Sequence, residues 1–375
     1  MVIKRILQDK ITERITPNKV VIIYGARRVG KTVLLRELVN SFNGKKLLLN
    51  GEDFDVQSML ANRSVANYRH LFSGLDLLAI DEAQNIPDIG NVLKLIVDEI
   101  DGLRVIASGS SSFDLLNKTG EPLVGRSIKF QLNPISCKEI SSIESPFEMA
   151  QNLELRMLYG AYPEVITMTN NEMRVEYLQD IVNSYLLKDI LAVDGIKNAA
   201  KMRNLLRLIA LQVGSEVSYD ELGTQLGMSK NTVERYLDLL SKVFVVYRVG
   251  AFARNLRKEV CKAGKWYFYD NGIRNAIIND FSPIALRNDV GHLWENYFLT
   301  ERRKYIHNNL KRIEQYFWRT YDRQELDLVE ESDGQLSAME IKWGKKTPKL
   351  PSAFANAYKN ADFHIINKEN YLDWV

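Results

Sequence analysis

The chain has 375 residues, 46% of them apolar and 26% charged, with a formal net charge of +3. These are the proportions of an ordinary globular protein of about two to four domains, and they exclude a disordered or low-complexity chain. So small a charge does not by itself announce nucleic-acid binding, so any basic patch must be local, and two distant cysteines, Cys137 and Cys261, without Cys-x-x-Cys spacing, indicate neither a disulfide framework nor a zinc site.

No uninterrupted apolar run approaches the length that spans a bilayer, and residues 1–10 lack the apolar core of a signal peptide. The expectation is a cytoplasmic protein with no membrane contact. Residues 1–18 read as a short helix, with Ile3, Ile6, Leu7 and Ile11 on one stripe and Pro17 as its stop. A β-branched run over 20–23 reads as a buried strand. It leads into Gly25-Ala-Arg-Arg-Val-Gly-Lys-Thr32, after which Leu34, Leu35, Leu38, Val39 and Phe42 fall at helical spacing. The eight-residue stretch fits G-x-x-x-x-G-K-[ST] between strand and helix, where that motif has a mechanism. Backbone N–H groups of a loop without bulky side chains cradle phosphate oxygens at a helix N-terminus. Gly25, Ala26, Arg27, Arg28, Val29, Gly30, Lys31, Thr32 and Val33 are therefore the candidate ATP-binding residues. Lys31 is placed for the β- and γ-phosphates and the Thr32 hydroxyl for Mg²⁺. Arg27 and Arg28 face either phosphate or solvent.

Over 20–132 strands and helices alternate, which predicts a parallel sheet covered on both faces. Further strands are expected at 46–50, 76–80, 103–107 and 127–132, with a helix at 91–100. Asp81-Glu82 closes the third strand at its carboxyl end, where ligands of open α/β sheets collect. Asp81 is expected to hold Mg²⁺, through water, opposite Thr32; Glu82 is expected to polarise the attacking water.

Gly25-Ala-Arg-Arg-Val-Gly-Lys-Thr32, Ala79-Ile-Asp-Glu-Ala-Gln84, Ser108-Gly-Ser-Ser111 and Val124-Gly-Arg126 together resemble a family of bacterial and archaeal ATPases of the AAA+ superfamily, whose members continue into a C-terminal domain of uncharacterised function. The resemblance covers essentially the whole chain. It implies that Ser108 or Ser110 is the polar sensor after the Asp-Glu strand. It also implies that Arg126 approaches the γ-phosphate, in cis or from a neighbouring copy of a homo-oligomer. The alternative for Arg126 is a surface ion pair.

Residues 136–200 read as mainly helical, broken at Gly160-Ala-Tyr-Pro163, which is either a hinge beneath the nucleotide or an inter-helix turn. Leu205, Leu206, Leu208, Ile209 and Leu211 mark a buried helix, and Ser218-Tyr-Asp-Glu221 reads as a capping box opening the next one, which ends at Gly227. A third helix over 230–240 completes a helix-turn-helix, with 243–248 as a wing. Lys230, Asn231 and Arg235 on it are residue types that contact DNA, although Glu234 and Asp238 share the helix. The module either binds DNA or packs structurally.

All five tryptophans lie beyond residue 260, which supports a separate domain from about 256 on. A helix over 290–306 and strands at 265–269, 316–320, 325–330 and 336–342 carry Glu295, Asp327 and Glu340-Ile-Lys342. This order resembles the restriction-endonuclease-like fold. Period-two alternation puts Glu340 and Lys342 on one side of a strand. Glu295, Asp327 and Glu340 are the candidate ligands of a hard divalent cation, with Lys342 activating water for phosphodiester attack. Basic clusters at Arg254/Arg257/Lys258/Lys262/Lys265 and Lys342/Lys345/Lys346/Lys349 suit a phosphate backbone or a solvated face equally.

The expected architecture is α/β: a P-loop ATPase core at 1–135, a helical connector at 136–200, a winged helix at 201–255 and a nuclease-like domain at 256–375. The expected function is Mg²⁺-dependent ATP hydrolysis coupled to DNA binding or cleavage. The alternative is an ATP-switched protein whose catalytically inert C-terminal domain docks a protein partner.

Overall fold

The computed structural model describes residues 3–109, 122–186, 198–253, 264–345 and 347–375, without the side chains of 184–186. Ser110, Arg254, Arg257, Lys258, Cys261, Lys262 and Lys346 lie outside the described residues. The chain is mixed α/β and divides into two compact units, 1–135 with 242–244, and 136–241 with 245–375. Among the described residues no helix is long and apolar enough to cross a membrane.

In the first unit β1 (Val20–Tyr24), β2 (Lys46–Asn50), β3 (Leu77–Asp81), β4 (Arg104–Gly109) and β5 (Ser127–Gln131) form one sheet in the order β2-β3-β4-β1-β5. Every neighbouring pair is parallel. The central strands can be parallel because they are apolar on both faces: Val20, Val21, Ile22 and Ile23 are fully buried, as are Leu77 through Ile80. β2, at an edge, alternates between exposed and half-buried residues.

Among the described residues five helices accompany the sheet: α1 (Ile6–Thr12), α2 (Lys31–Ser41), α3 (Phe54–Ala61), α4 (Val65–Leu71) and α5 (Ile89–Glu99). α2 buries Leu34, Leu35, Leu38 and Val39, and α5 buries Val92, Leu93, Ile96 and Val97, the one-sided stripes of helices that cover a core. α3 and α4 fill a stretch where hydrophobic periodicity predicts nothing. Asp53 and Ser64 start them by accepting the Asp55 and Asn67 N–H groups at 2.8 and 3.4 Å. Because the strands are parallel, the carboxyl ends of β1, β3 and β4 share one edge of the sheet. β4 lies between β1 and β3, so Ser108 near its end stands between the loop after β1 and the acid pair after β3.

The second unit holds β6 (Val246–Ala251), β7 (Lys265–Phe268), β8 (Glu314–Arg319), β9 (Glu325–Ser332), β10 (Gln335–Ile341) and β11 (Asp362–Ile366), in the order β11-β10-β9-β8-β6-β7. β8, β9 and β10 are antiparallel neighbours, β11 runs parallel to β10, and β6 pairs antiparallel with β7 and parallel with β8. The second half of the stretch predicted as a wing, 246–248, thus lies in β6 of this sheet. Helices Tyr219–Leu226 and Lys230–Lys242 flank a turn in which Gly227 adopts a left-handed conformation, and the exposed Lys230 ammonium meets Asp220 at 3.0 Å.

Gly160-Ala-Tyr-Pro163 is a clamped bend. Helix Leu153–Tyr159 ends there and helix Pro163–Thr167 begins, with Tyr162 extended as the residue before a proline must be. Gly160 has φ +74°, and a Cβ on it would lie 1.9 Å from Asp270 Oδ1. That carboxylate accepts the Ala161 N–H at 2.7 Å and the Ile273 N–H at 3.2 Å, tying the bend to the start of helix Asn271–Ile278.

Candidate functional site

The loop after β1 closes around its own backbone. Gly25 leaves the strand where a Cβ would sit 2.1 Å from the Leu132 carbonyl, so no other residue fits beside β5. Arg28 and Gly30 take left-handed conformations, at φ +66° and +96°, and α2 begins at Lys31. Left-handed residues in a loop that opens a helix are where successive N–H groups can form an anion-binding concavity. Lys31 is buried, and its ammonium donates to the Gly25 and Ala26 carbonyls at 3.1 and 2.8 Å. Ala26 and Val29 are buried, Thr32 is half-buried, and Arg27, Arg28 and Val33 are exposed.

At the same edge, Ser108 Oγ donates to Asp81 Oδ1, and the Glu82 N–H donates to Asp81 Oδ1 at 3.2 Å and to Ser108 Oγ at 3.4 Å. Glu82 turns the chain out of β3 in a left-handed conformation, φ +47°, and Gln84 Nε2 donates to its Oε2 at 2.5 Å. Gln84 is the residue that motif spacing alone leaves without a task. Hydroxyl and carboxylate oxygens on the two sides of this edge, Thr32 and Asp81, are the donor set that Mg²⁺ takes.

The structure does not bring Arg126 to this loop. Val20 donates to the Arg126 carbonyl at 2.8 Å and pairs with Ser127, so Arg126 stands at the amino edge, about 20 Å of strand away from Gly25. Its Nε donates to Asp98 Oδ1 at 2.6 Å on a half-exposed surface, which is the ion-pair alternative.

In the second unit Asp327, Glu340 and Lys342 come together. Asp327 on β9 and Glu340 on β10 stand one step beyond the last pair of the ladder, Leu328 with Met339. Asp327 Oδ2 accepts the Ile341 N–H at 2.8 Å and the Lys342 ammonium at 3.0 Å, and the same ammonium meets Glu340 Oε2 at 3.4 Å. Burial, then the hydrogen bond and charge of Asp327, push the Glu340 carboxyl up. Burial alone would raise Asp327 as well, but the Glu340 hydrogen bond and the Lys342 charge outweigh it and hold it below the ordinary carboxylate range. Glu295, on helix Val290–Asn308, lies near enough for the Asp327 charge to act on it, and is held by partners of its own. The Tyr267 hydroxyl donates to its Oε1 at 2.6 Å, and the buried Lys265 ammonium lies 3.7 Å from it and 2.5 Å from Glu325 Oε1. Lys265, Tyr267 and Glu325 carry no motif that spacing could reveal. Among the described residues no three His, Cys, Asp or Glu side chains gather as a metal site. The oxygens of Asp327 and Glu340 are chemically suited to a hard cation, yet each already meets a lysine.

Residues 17–141 match a family described as an AAA domain, 150–283 a domain of unknown function (DUF8612), and 290–372 another domain of unknown function (DUF4143). The fold of the first unit is accordingly that of an AAA-type ATPase. An uncharacterized protein of Mycobacterium tuberculosis is 29% identical over 342 residues, 90% of this chain and 73% of that one. An uncharacterized protein of Methanocaldococcus jannaschii is 22% identical over 333 residues, 81% of this chain and 71% of that one. A solved structure of a Thermotoga maritima RuvB variant aligns at 16% identity over 64% of this chain and 86% of that one, with a TM-score of 0.32, an overlay too loose to bear on function.

Proposed function

We propose that the chain binds and hydrolyses ATP with Mg²⁺ and couples its nucleotide state to DNA binding or cleavage by the second unit. The observation that carries the ATPase reading is the Ser108–Asp81–Glu82 network standing at the same sheet edge as the loop that Lys31 closes. N–H groups of 25–33 hold the phosphates, and Lys31 exchanges loop carbonyls for β/γ-phosphate oxygens. Thr32 and Asp81 hold Mg²⁺, which when bound neutralises charge on the phosphates. Glu82 takes the proton of the attacking water while Gln84 fixes its orientation. Ser108 serves as the sensor, and Arg126 reaches a nucleotide only on another copy of the chain. Binding of ADP and turnover of ATP by the wild type, with Lys31→Ala as the blank, test this reading.

For the second unit, Asp327, Glu340 and Lys342 support work on a phosphodiester, while the lysines already paired with Asp327, Glu340, Glu295 and Glu325 support the alternative of an inert domain that docks a protein. Cleavage assays on single- and double-stranded DNA with Mg²⁺ or Mn²⁺, with and without ATP, separate the two.

A further inference from the structure

We infer that Arg5, which lies outside every motif, is a positioning residue of the nucleoside di- and triphosphate site; the inference rests on the ATP reading and deepens it. Arg5 stands just before α1 and is 6% exposed. Its Nη1 donates to the Val29 carbonyl at 2.8 Å and its Nη2 to the Asn133 carbonyl at 2.6 Å. One guanidinium therefore ties the phosphate loop to the chain that leaves β5. Ile3, Leu7 and Ile11 are buried beside it, and α1 packs on α2, so the side chain is delivered from a fixed element.

The consequence follows from the planarity of the peptide bond. The chain has no cis peptides among its described residues, so the Val29 C=O and the Gly30 N–H point in opposite directions. Turning that carbonyl toward Arg5 turns the Gly30 N–H away from Arg5. This peptide runs directly into Gly30, at φ +96°, and follows Arg28, at φ +66°, by one residue, so it lies in a stretch where left-handed conformations set its orientation. Lys31 holds the opposite end of the loop through Gly25 and Ala26. Two cations thus fix the loop at its beginning and its end. Arg5 sends two separate nitrogens of one planar guanidinium to carbonyls far apart in the chain, on Val29 and Asn133, a fixed fork that a compact lysine ammonium does not reproduce.

The test uses the full chain and compares Arg5→Met, Arg5→Lys and Lys31→Ala with the wild type. The readouts are ADP affinity by calorimetry in Mg²⁺, KM and kcat for ATP, and melting temperature. Arg5→Met is expected to raise both the ADP Kd and the ATP KM by about tenfold or more, the range of a lost hydrogen bond to a charged group. It should leave kcat within about threefold, since a loop N–H that holds phosphate acts alike before and during reaction. Arg5→Lys should fall between. A lower melting temperature with Kd and KM at wild-type values would make Arg5 a merely structural residue and overturn the inference. If Arg5→Met does not fold, a folded Arg5→Lys with wild-type ADP affinity overturns it equally. A wild type that binds neither ADP nor ATP removes the ATP reading and this inference together. Binding that Lys31→Ala abolishes and Arg5→Met leaves intact removes this inference alone.

Discussion

The Ser108 hydroxyl donates to Asp81 Oδ1 and accepts the Glu82 N–H at 3.4 Å, so one side chain on β4 orders both acids at the end of β3. If Asp81 faces Mg²⁺, this hydroxyl decides which of its oxygens is presented. Ser108→Ala should leave ADP affinity nearly unchanged and lower kcat, or raise the Mg²⁺ concentration at half-maximal rate, by about ten- to a hundredfold, as loss of an outer-shell partner does. The check is ATP turnover across a Mg²⁺ titration. A variant with wild-type rate and wild-type Mg²⁺ dependence would remove Ser108 from the site.

Lys31 and Glu82 should fail differently. Lys31→Ala deletes the phosphate cation and also the two bonds that close the loop on Gly25 and Ala26, so nucleotide affinity should fall by more than about tenfold. Glu82→Gln keeps the fold of the turn and loses only the proton acceptor. Its ADP affinity should hold while turnover drops by about a hundredfold or more. Equal loss of binding in both variants would contradict the roles given to them.

These sites were legible to different depths. The candidate phosphate loop could be read because its signal is local: strand, glycines, Lys31 and Thr32 adjoin in the chain. Asp81-Glu82 needed only the edge rule for parallel sheets. Arg126 needed register, because only the pairing of Val20 with Ser127 tells that it stands just before β5, at the amino edge of the sheet. The run over 243–248 announced a strand but not its neighbours, since β8 lies more than sixty residues further on. Lys265 and Tyr267 sit in a short buried strand whose apolar look hides that two side chains meet Glu295. α3 and α4 did carry their signals, Asp53 and Ser64, in a stretch whose weak periodicity left them unread.

Asp270 makes the clamped bend sensitive to pH. Burial holds its carboxyl up, to about 6 from an ordinary 3.8, against the opposing charge of Lys304 and the N–H groups of Ala161, Ile273 and Gly272. The folded chain therefore binds a proton between those values that the unfolded chain has released. Stability from this group is complete below the unfolded pKa and is lost as pH rises through the folded one, by on the order of 3 kcal/mol. Asp270→Asn should flatten that fall between about pH 4 and 6, measured as melting temperature against pH. A slope equal to that of the wild type would assign the pH dependence to other groups. Gly160→Ala should destabilise at every pH, because the methyl group meets the same carboxylate.

Asp327 decides what the acidic cluster of the second unit is for. A carboxylate pair built only to hold a cation repels itself when empty, so removing one charge should leave stability unchanged or slightly raised. Here Asp327 Oδ2 instead accepts the Ile341 N–H and the Lys342 ammonium, on a strand where both neighbours are buried. Asp327→Asn removes a charge-assisted hydrogen bond and turns a neutral amide toward the ammonium. The expected cost is about 1–3 kcal/mol, with EDTA present or absent. Because the folded carboxyl lies below its ordinary value, this stability exists above the unfolded pKa and is lost as pH falls through the folded one. The gap in melting temperature between wild type and variant should therefore shrink on acidification. ATP turnover without DNA should survive the substitution. DNA cleavage by the wild type that needs Mg²⁺ or Mn²⁺ and vanishes in Asp327→Asn would make the cluster a nuclease centre despite its lysines. A wild type that cuts neither single- nor double-stranded DNA in any nucleotide state, together with a destabilised Asp327→Asn, would leave the carboxylates as structural partners of Lys342 and give the docking reading the second unit.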